Sequence, residues 1–234
     1  MSDDTSRPWR VEEVTLDVAS AHGADLTGAG ATRLVRHHRI ERPALVLGST
    51  QPEAHVDPAV VARRGIDVVR RRSGGGAVLL VPGDVVWLDV VIPAADPLWS
   101  DDIGASFAWL GAVWVDTLAA LGIPGADAHE GALVCTRWSR WVCFGGLGPG
   151  EVRVQGRKVV GISQRRTRAA ARFQCAALLR WDVVGILDLL ALDPLERALA
   201  EPALGEVAAG LTDLAPGAGL TDAAVLAAFV AALP

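Results

Sequence analysis

The sequence predicts an α+β domain: a mixed, mostly antiparallel sheet flanked by helices, with short helices towards the C-terminal end. Three observations carry this. Short apolar runs come in clusters split by tight turns, as at residues 77–81 and 85–92 around Pro82-Gly83-Asp84. One long helical pattern interrupts them after Ser100-Asp101-Asp102. From Asp182 onward the chain turns rich in Ala and Leu at helical spacing.

Residues 14–39 carry a helical pattern, weakened by Gly23, Gly28 and Gly30. Residues 44–48 are an apolar run between Pro43 and the Ser49-Thr50-Gln51-Pro52 turn and read as a strand. Asp57 and Pro58 open a short helix as N-cap and first residue, and Gly65 closes it. Residues 67–72 form a strand that runs into Ser73-Gly74-Gly75-Gly76, and the strands at 77–81 and 85–92 follow. The long helix is capped by Ser100-Asp101-Asp102, whose acids suit the helix dipole, and runs to about Leu121 before Gly122 and Pro124. Strand-like runs return at 133–135 and 141–144. Val152-Arg153-Val154, the Gln155-Gly156-Arg157 turn and residues 158–163 read as a β-hairpin with Lys158 just past its turn. A last strand is expected at 171–181. Three short helices complete residues 182–234, either packed on the domain at 1–181 or forming a small appendage.

With 51% hydrophobic and 21% charged residues, the composition is that of a globular protein. A length of 234 residues buries a core without staples. Cys135, Cys143 and Cys175 form no metal-ligand spacing and are odd in number, so a reduced, cytoplasmic setting is expected. The polar, acidic start is not a signal peptide, and no apolar window of ~18 residues marks a membrane span. A net charge of −5 argues against nucleic acid as a partner. Two basic clusters stand out nonetheless, Arg63 to Arg72 and Arg153 to Arg172. They fit a small anionic ligand, the alternative being solvated faces.

Of the 22 basic residues, lysine occurs once, at Lys158; the rest are arginine. An ammonium is a compact charge that can place its donors on one oxygen, which a planar guanidinium cannot. Its place in Gly156-Arg157-Lys158, followed by Gly161, points to chemistry rather than drift. The loop Arg71-Arg72-Ser73-Gly74-Gly75-Gly76-Ala77 lets a ligand lie against bare backbone, with arginines at hand for a carboxylate or phosphate. It is neither a Walker loop nor a dinucleotide fingerprint. Taken alone, a flexible turn explains it equally well.

Together the motifs say more. Arg71-Arg72-Ser73-Gly74-Gly75-Gly76-Ala77-Val78 and Gly156-Arg157-Lys158-Val159-Val160-Gly161-Ile162-Ser163-Gln164-Arg165 resemble the two signatures of the lipoate–protein ligase A and octanoyltransferase family. Residues 44–51 resemble its early strand. The resemblance covers roughly residues 30 to 180 and implies the catalytic-domain fold shared with biotin ligases, here at 1–181. It implies that Arg71, Arg72, Ser73, Gly74, Gly75, Gly76, Ala77, Gly161 and Ser163 bind substrate, and that Lys158 contacts the activated carbonyl. Two departures stand out. Leu80-Val81 replaces the family's His-Asp, and Gln174-Cys175-Ala176 replaces its His-Gly-Ser.

Two chemistries use that scaffold. A ligase consumes ATP with Mg2+, forms an acyl-AMP and passes lipoate or octanoate to a carrier lysine; this is the expectation put first. An octanoyltransferase needs no cofactor: a cysteine takes the acyl group from a carrier protein as a thioester, beside an activating lysine. Cys143-Phe144, before Lys158 with Glu151 between, resembles that branch, although an inert core cysteine is the plain alternative. The implied acceptors are lipoyl domains of 2-oxoacid dehydrogenases or the glycine cleavage H protein, with acyl carrier protein as a possible donor. A non-catalytic acyl- or lipoyl-domain-binding protein is the third alternative. Cys135 and Cys175 read as core, as do the tryptophans, with Trp138 and Trp141 placed to line an acyl tunnel.

Overall fold

The computed structural model describes residues 8–28 and 30–234; most of the polar start, residues 1–7, lies outside the described residues. The strands are β1 (Arg10–Thr15), β2 (Leu34–Arg39), β3 (Ala44–Leu47), β4 (Asp67–Arg70), β5 (Val78–Leu80), β6 (Val85–Pro93), β7 (Ala126–Ala128), β8 (Val152–Val154), β9 (Arg157–Arg166) and β10 (Ala170–Leu178). They form a seven-stranded sheet in the order β1-β2-β6-β10-β9-β8-β7 and a three-stranded sheet in the order β4-β3-β5. The β1–β2 and β3–β4 pairs are parallel and the others antiparallel. The helices are α1 (Val18–Gly23), α2 (Pro58–Arg64), α3 (Ala108–Ala120), α4 (Val183–Asp188), α5 (Pro194–Val207), α6 (Leu211–Leu214) and α7 (Asp222–Ala231).

Strand β6 shows why the large sheet is central. Its run Val85 to Ile92 is buried throughout, so apolar residues on both faces meet protein. One core joins Leu88 and Val90 to Leu110, Trp114 and Leu118 of α3 and to Val225 and Phe229 of α7. The second lies between the two sheets and joins Leu45, Leu47 and Trp87 to Ile186, Leu187 and Leu204 of α4 and α5. The C-terminal helices thus bury side chains in both cores.

Local signals were obeyed where they were strong. Asp57 Oδ1 accepts from the N–H groups of Ala59 and Val60, Pro58 opens α2, and Gly65 ends it at φ 62°. Gln155 (φ 52°) and Gly156 (φ 79°) make the tight turn between β8 and β9.

Four expectations need correction. Residues 14–39 are not one helix: only α1 is helical, between two strands that pair with each other, and β2 pairs on with β6. Sheet pairing overrides the local pattern there, and its glycines offer it no continuity. The runs at 133–135 and 141–144 are not strands. Val134 makes one bridge to Leu147 and Val142 one to Ala77, while Cys143–Gly145 is a 3-10 turn. Glycines 145, 146 and 148 with Pro149 leave no residues for a ladder, and the short strand β7 went unread. Asp102 caps a short turn before α3 rather than α3 itself. Finally the C-terminal stretch holds four helices, α6 being a single turn.

Candidate active site

A cavity of about 790 Å3 opens between the two sheets. Its deeper walls are apolar, with Val46, Leu80, Trp87, Ile162 and Cys175 all less than a tenth exposed. Its rim carries Thr50, Pro52, Leu133, Cys135 and Arg140, which are exposed. Between them sit Lys158 and Cys143.

Lys158 is brought to the wall by β9 and is 3% exposed. Its Nζ lies 2.6 Å from Glu151 Oε2 and donates to the carbonyls of Gly146 (3.0 Å) and Cys143 (3.3 Å). The face of Phe144 lies 4.9 Å away and adds a cation–π contact. Glu151 is fixed in turn: Oε2 accepts from Gly148 N–H (2.6 Å) and Oε1 from Ile162 N–H (3.1 Å). Every partner of the ammonium is therefore held by backbone. Gly161 runs close beside this group: a Cβ there would make ordinary contacts 3.5 Å from Lys158 Cε and 3.4 Å from the Phe144 ring.

The glycine loop folds over the cavity, pinned from beneath. Arg71 is buried and its guanidinium donates to the carbonyls of Val46 (3.2 Å), Gly74 (2.7 Å) and Gly76 (2.7 Å). It acts first as the clamp of the loop. Gly76 packs so closely that a Cβ would come 2.5 Å from Val142 N, and the next residue, Ala77, exchanges backbone hydrogen bonds with Trp141 and Cys143. Those bonds carry the loop to Cys143, whose Sγ lies 3.5 Å from an ideal Cβ on Gly75. No acceptor among the described residues is bonded to the N–H of Gly74 or Gly75, so both remain open to a ligand.

The residues expected from sequence thus divide. Lys158, Cys143, Arg71, Gly74, Gly75, Gly161 and Ser163 line the cavity, with Gly76 and Ala77 packed behind. Arg72 and Ser73 turn to a smaller cavity of about 70 Å3 shared with Arg165 and Arg172, and His22 and Gln174 line both it and the large cavity. Cys135 is exposed rather than core, because its loop forms no strand, while Cys175 is buried, its thiol pushed up to about 12 by burial. Trp138 and Trp141 are core and leave the tunnel wall to Trp87. Glu151 was the residue whose role sequence reasoning missed: its place between Cys143 and Lys158 was noted, yet only the turn between Gly146 and Glu151 brings it to the ammonium.

The family model of the lipoyl protein ligase A/B catalytic domain matches residues 7–233. The chain belongs to this family. An octanoyltransferase LipM from Exiguobacterium sp. (strain ATCC BAA-1283 / AT1b) is 27% identical over 162 residues, covering 68% of the chain and 58% of that relative. The match therefore spans less than two thirds of the curated relative's length. Among solved structures, a bi-partite lipoate protein ligase from Thermoplasma acidophilum, studied with its E2 lipoyl domain, superposes with a TM-score of 0.73 at 20% identity. That match covers 95% of this chain and 81% of the other. Lipoate-protein ligase A bound with ATP gives a TM-score of 0.70 at 20% identity, covering 95% and 83%. The fold is that of lipoate–protein ligases.

In a lipoyl ligase A/B domain the implied metal is Mg2+ accompanying ATP. Such an ion takes most of its ligands from phosphate and water; from this chain Glu151 is the single carboxylate lining the large cavity, with its oxygens bonded to Lys158, Gly148 and Ile162. No cluster of three or more His, Cys, Asp or Glu side chains among the described residues has metal-site geometry. Nor is any helix among them long and apolar enough to cross a membrane.

Proposed function

We propose that the chain transfers an octanoyl or lipoyl group to a lysine of a lipoyl carrier domain, with a Cys143 thioester as intermediate and Lys158 at the reacting carbonyl. One observation carries the reading: Cys143 and Lys158 line the same cavity, whose deeper walls are apolar, with Nζ bonded to the Cys143 carbonyl. The sequence alone put the adenylate route first. The half-buried thiol beside the glycine loop supports the thioester route.

In the first step the Cys143 sulfur attacks the donor thioester, the new C–S bond forms, and the carrier's sulfur leaves with the proton. In the second the acceptor amine attacks, the amide C–N bond forms, and Cys143 leaves as the restored thiol. Both steps build negative charge on the carbonyl oxygen, and a positioned ammonium lowers that barrier. The three donors of Lys158 are all engaged, and its bond to the Cys143 carbonyl is the longest. That is the bond an oxyanion would displace at least cost. The partners under this reading are lipoyl domains of 2-oxoacid dehydrogenases or the glycine cleavage H protein, with acyl carrier protein as donor.

The second reading is an ATP-dependent ligase with an acyl-adenylate in the same cavity. It is supported by the open N–H groups of Gly74 and Gly75 and by the compact charge of Lys158, both suited to a phosphate. A mass-shift assay on an apo lipoyl domain separates the two. One arm holds octanoate or lipoate, ATP and magnesium; the other holds octanoyl-carrier protein without ATP. Modification in the second arm, abolished by Cys143→Ser, is expected. Modification in the first arm alone selects the ligase, and silence in both refutes catalysis.

A further inference from the structure

The far end of the cavity carries a polar pair that acyl transfer does not use. His22, in the last turn of α1, lines it together with Gln174 of β10 and Trp87 of β6. The His22 ring stacks 4.7 Å from Trp87, and its Nδ1 lies 3.4 Å from Gln174 Nε2. The walls leading there, Val46, Val78, Leu80 and Ala176, are apolar.

The sheet register places this pair relative to the chemistry. Gly161 stands beside Lys158 Cε, and Ser163, two residues farther along β9, pairs with Gln174. At about 3.4 Å per residue, Gln174 is displaced roughly 7 Å along the sheet from Gly161. His22 stacks on Trp87, which lies two strands across from Gly161 through Ala176, about 10 Å away, so a medium-length acyl chain held at Lys158 reaches it.

Burial pushes the His22 imidazole down to about 4, so the ring is neutral at pH 7. With the Gln174 amide donating to Nδ1, the ring proton sits on Nε2. Among the described residues nothing accepts from that N–H. The His22 side chain is half-buried, so a tail that covers Nε2–H takes water from it and loses less when it brings an acceptor of its own.

The geometry points to His22 and Gln174 as the residues that read the distal end of the acyl tail, favouring one with sulfur acceptors, such as a dithiolane ring, over a bare methyl end. Sulfur is a weak acceptor for the imidazole N–H, and the edge of Trp87 offers a favourable sulfur–aromatic contact. The identity of the ligand as an acyl group rests on the function proposed above; the position of its tail rests on the cavity.

The test is calorimetric titration of the intact protein with free lipoate and free octanoate, for the native chain, His22→Leu and Gln174→Leu. The native chain is expected to bind lipoate about three- to tenfold more tightly, the worth of one modest hydrogen bond. Both variants should bring the ratio close to one. Equal affinities in the native chain, a ratio unchanged in the variants, or failure to bind either acid would overturn the assignment. If His22→Leu does not fold, Gln174→Leu decides alone. Transfer to a lipoyl domain is scored separately, so loss of transfer with the preference intact refutes the reaction and leaves the tail site standing.

Discussion

Lys158 Nζ and Glu151 Oε2 lie 2.6 Å apart, with side chains only 3% and 8% exposed. Breaking such a pair strands a charge out of water, whereas neutralising one partner in place costs less. Glu151→Ala is expected to lower the unfolding free energy by about 3–5 kcal/mol, with a smaller loss for Glu151→Gln. Urea titration of both variants checks the order, and a loss near zero for Glu151→Gln would deny the ammonium its dependence on the carboxylate charge.

Lys158→Arg keeps the charge and changes its shape. The ammonium sits among Glu151 Oε2 and two carbonyls, a nest for a compact donor rather than a planar fork. Acyl transfer is expected to fall by about 100-fold or more, beyond what a loss of about 1–3 kcal/mol in stability from the bulkier side chain explains. Near-normal turnover would remove Lys158 from the chemistry.

The glycine loop offers a paired test. A Cβ on Gly48 would stand 1.8 Å from the Gly75 carbonyl oxygen, whereas one on Gly74 meets nothing within 4 Å. Gly48→Ala should therefore displace the loop, at a cost of about 1–3 kcal/mol and with impaired transfer. Gly74→Ala should leave stability within about 0.5 kcal/mol. Thermal melts of the two variants decide it.

The three thiols should separate by reactivity. Cys135 is exposed, Cys143 half-buried and Cys175 buried, with its thiol pushed up to about 12. Iodoacetamide under native conditions is expected to label Cys135 fastest, Cys143 more slowly and Cys175 only after unfolding. Peptide mapping reads the order, and early labelling of Cys175 would contradict its burial.

His22 gives stability a pH dependence. Its folded value of about 4 lies below the ordinary 6.5, so the unfolded chain takes up the proton first as pH falls. Its stabilising contribution is complete above about pH 6.5 and is lost down to about pH 4. The native chain should lose stability across that window relative to His22→Leu, by at most about 1.4 kcal/mol per pH unit. Parallel curves would show that His22 titrates normally.

What is local was legible in the amino-acid order. The cap residues Asp57, Pro58 and Gly65 fixed α2, Gln155-Gly156 fixed the hairpin, and β6 announced itself as an apolar run broken only by Asp89. The single lysine and the glycine loop marked the site, because each restricts chemistry or backbone at its own position. Tertiary structure decided what depends on distant partners. Residues 34–39 became a strand because β1 and β6 flank them, and Cys135 was left on the surface because its loop finds no ladder. Arg71 clamps the loop because three carbonyls converge on it. His22 reached Gln174, 152 residues away, and Trp87 through the packing of α1 on the sheet. Contacts of that kind are set by how sheets and helices pack, and no short stretch of sequence encodes them.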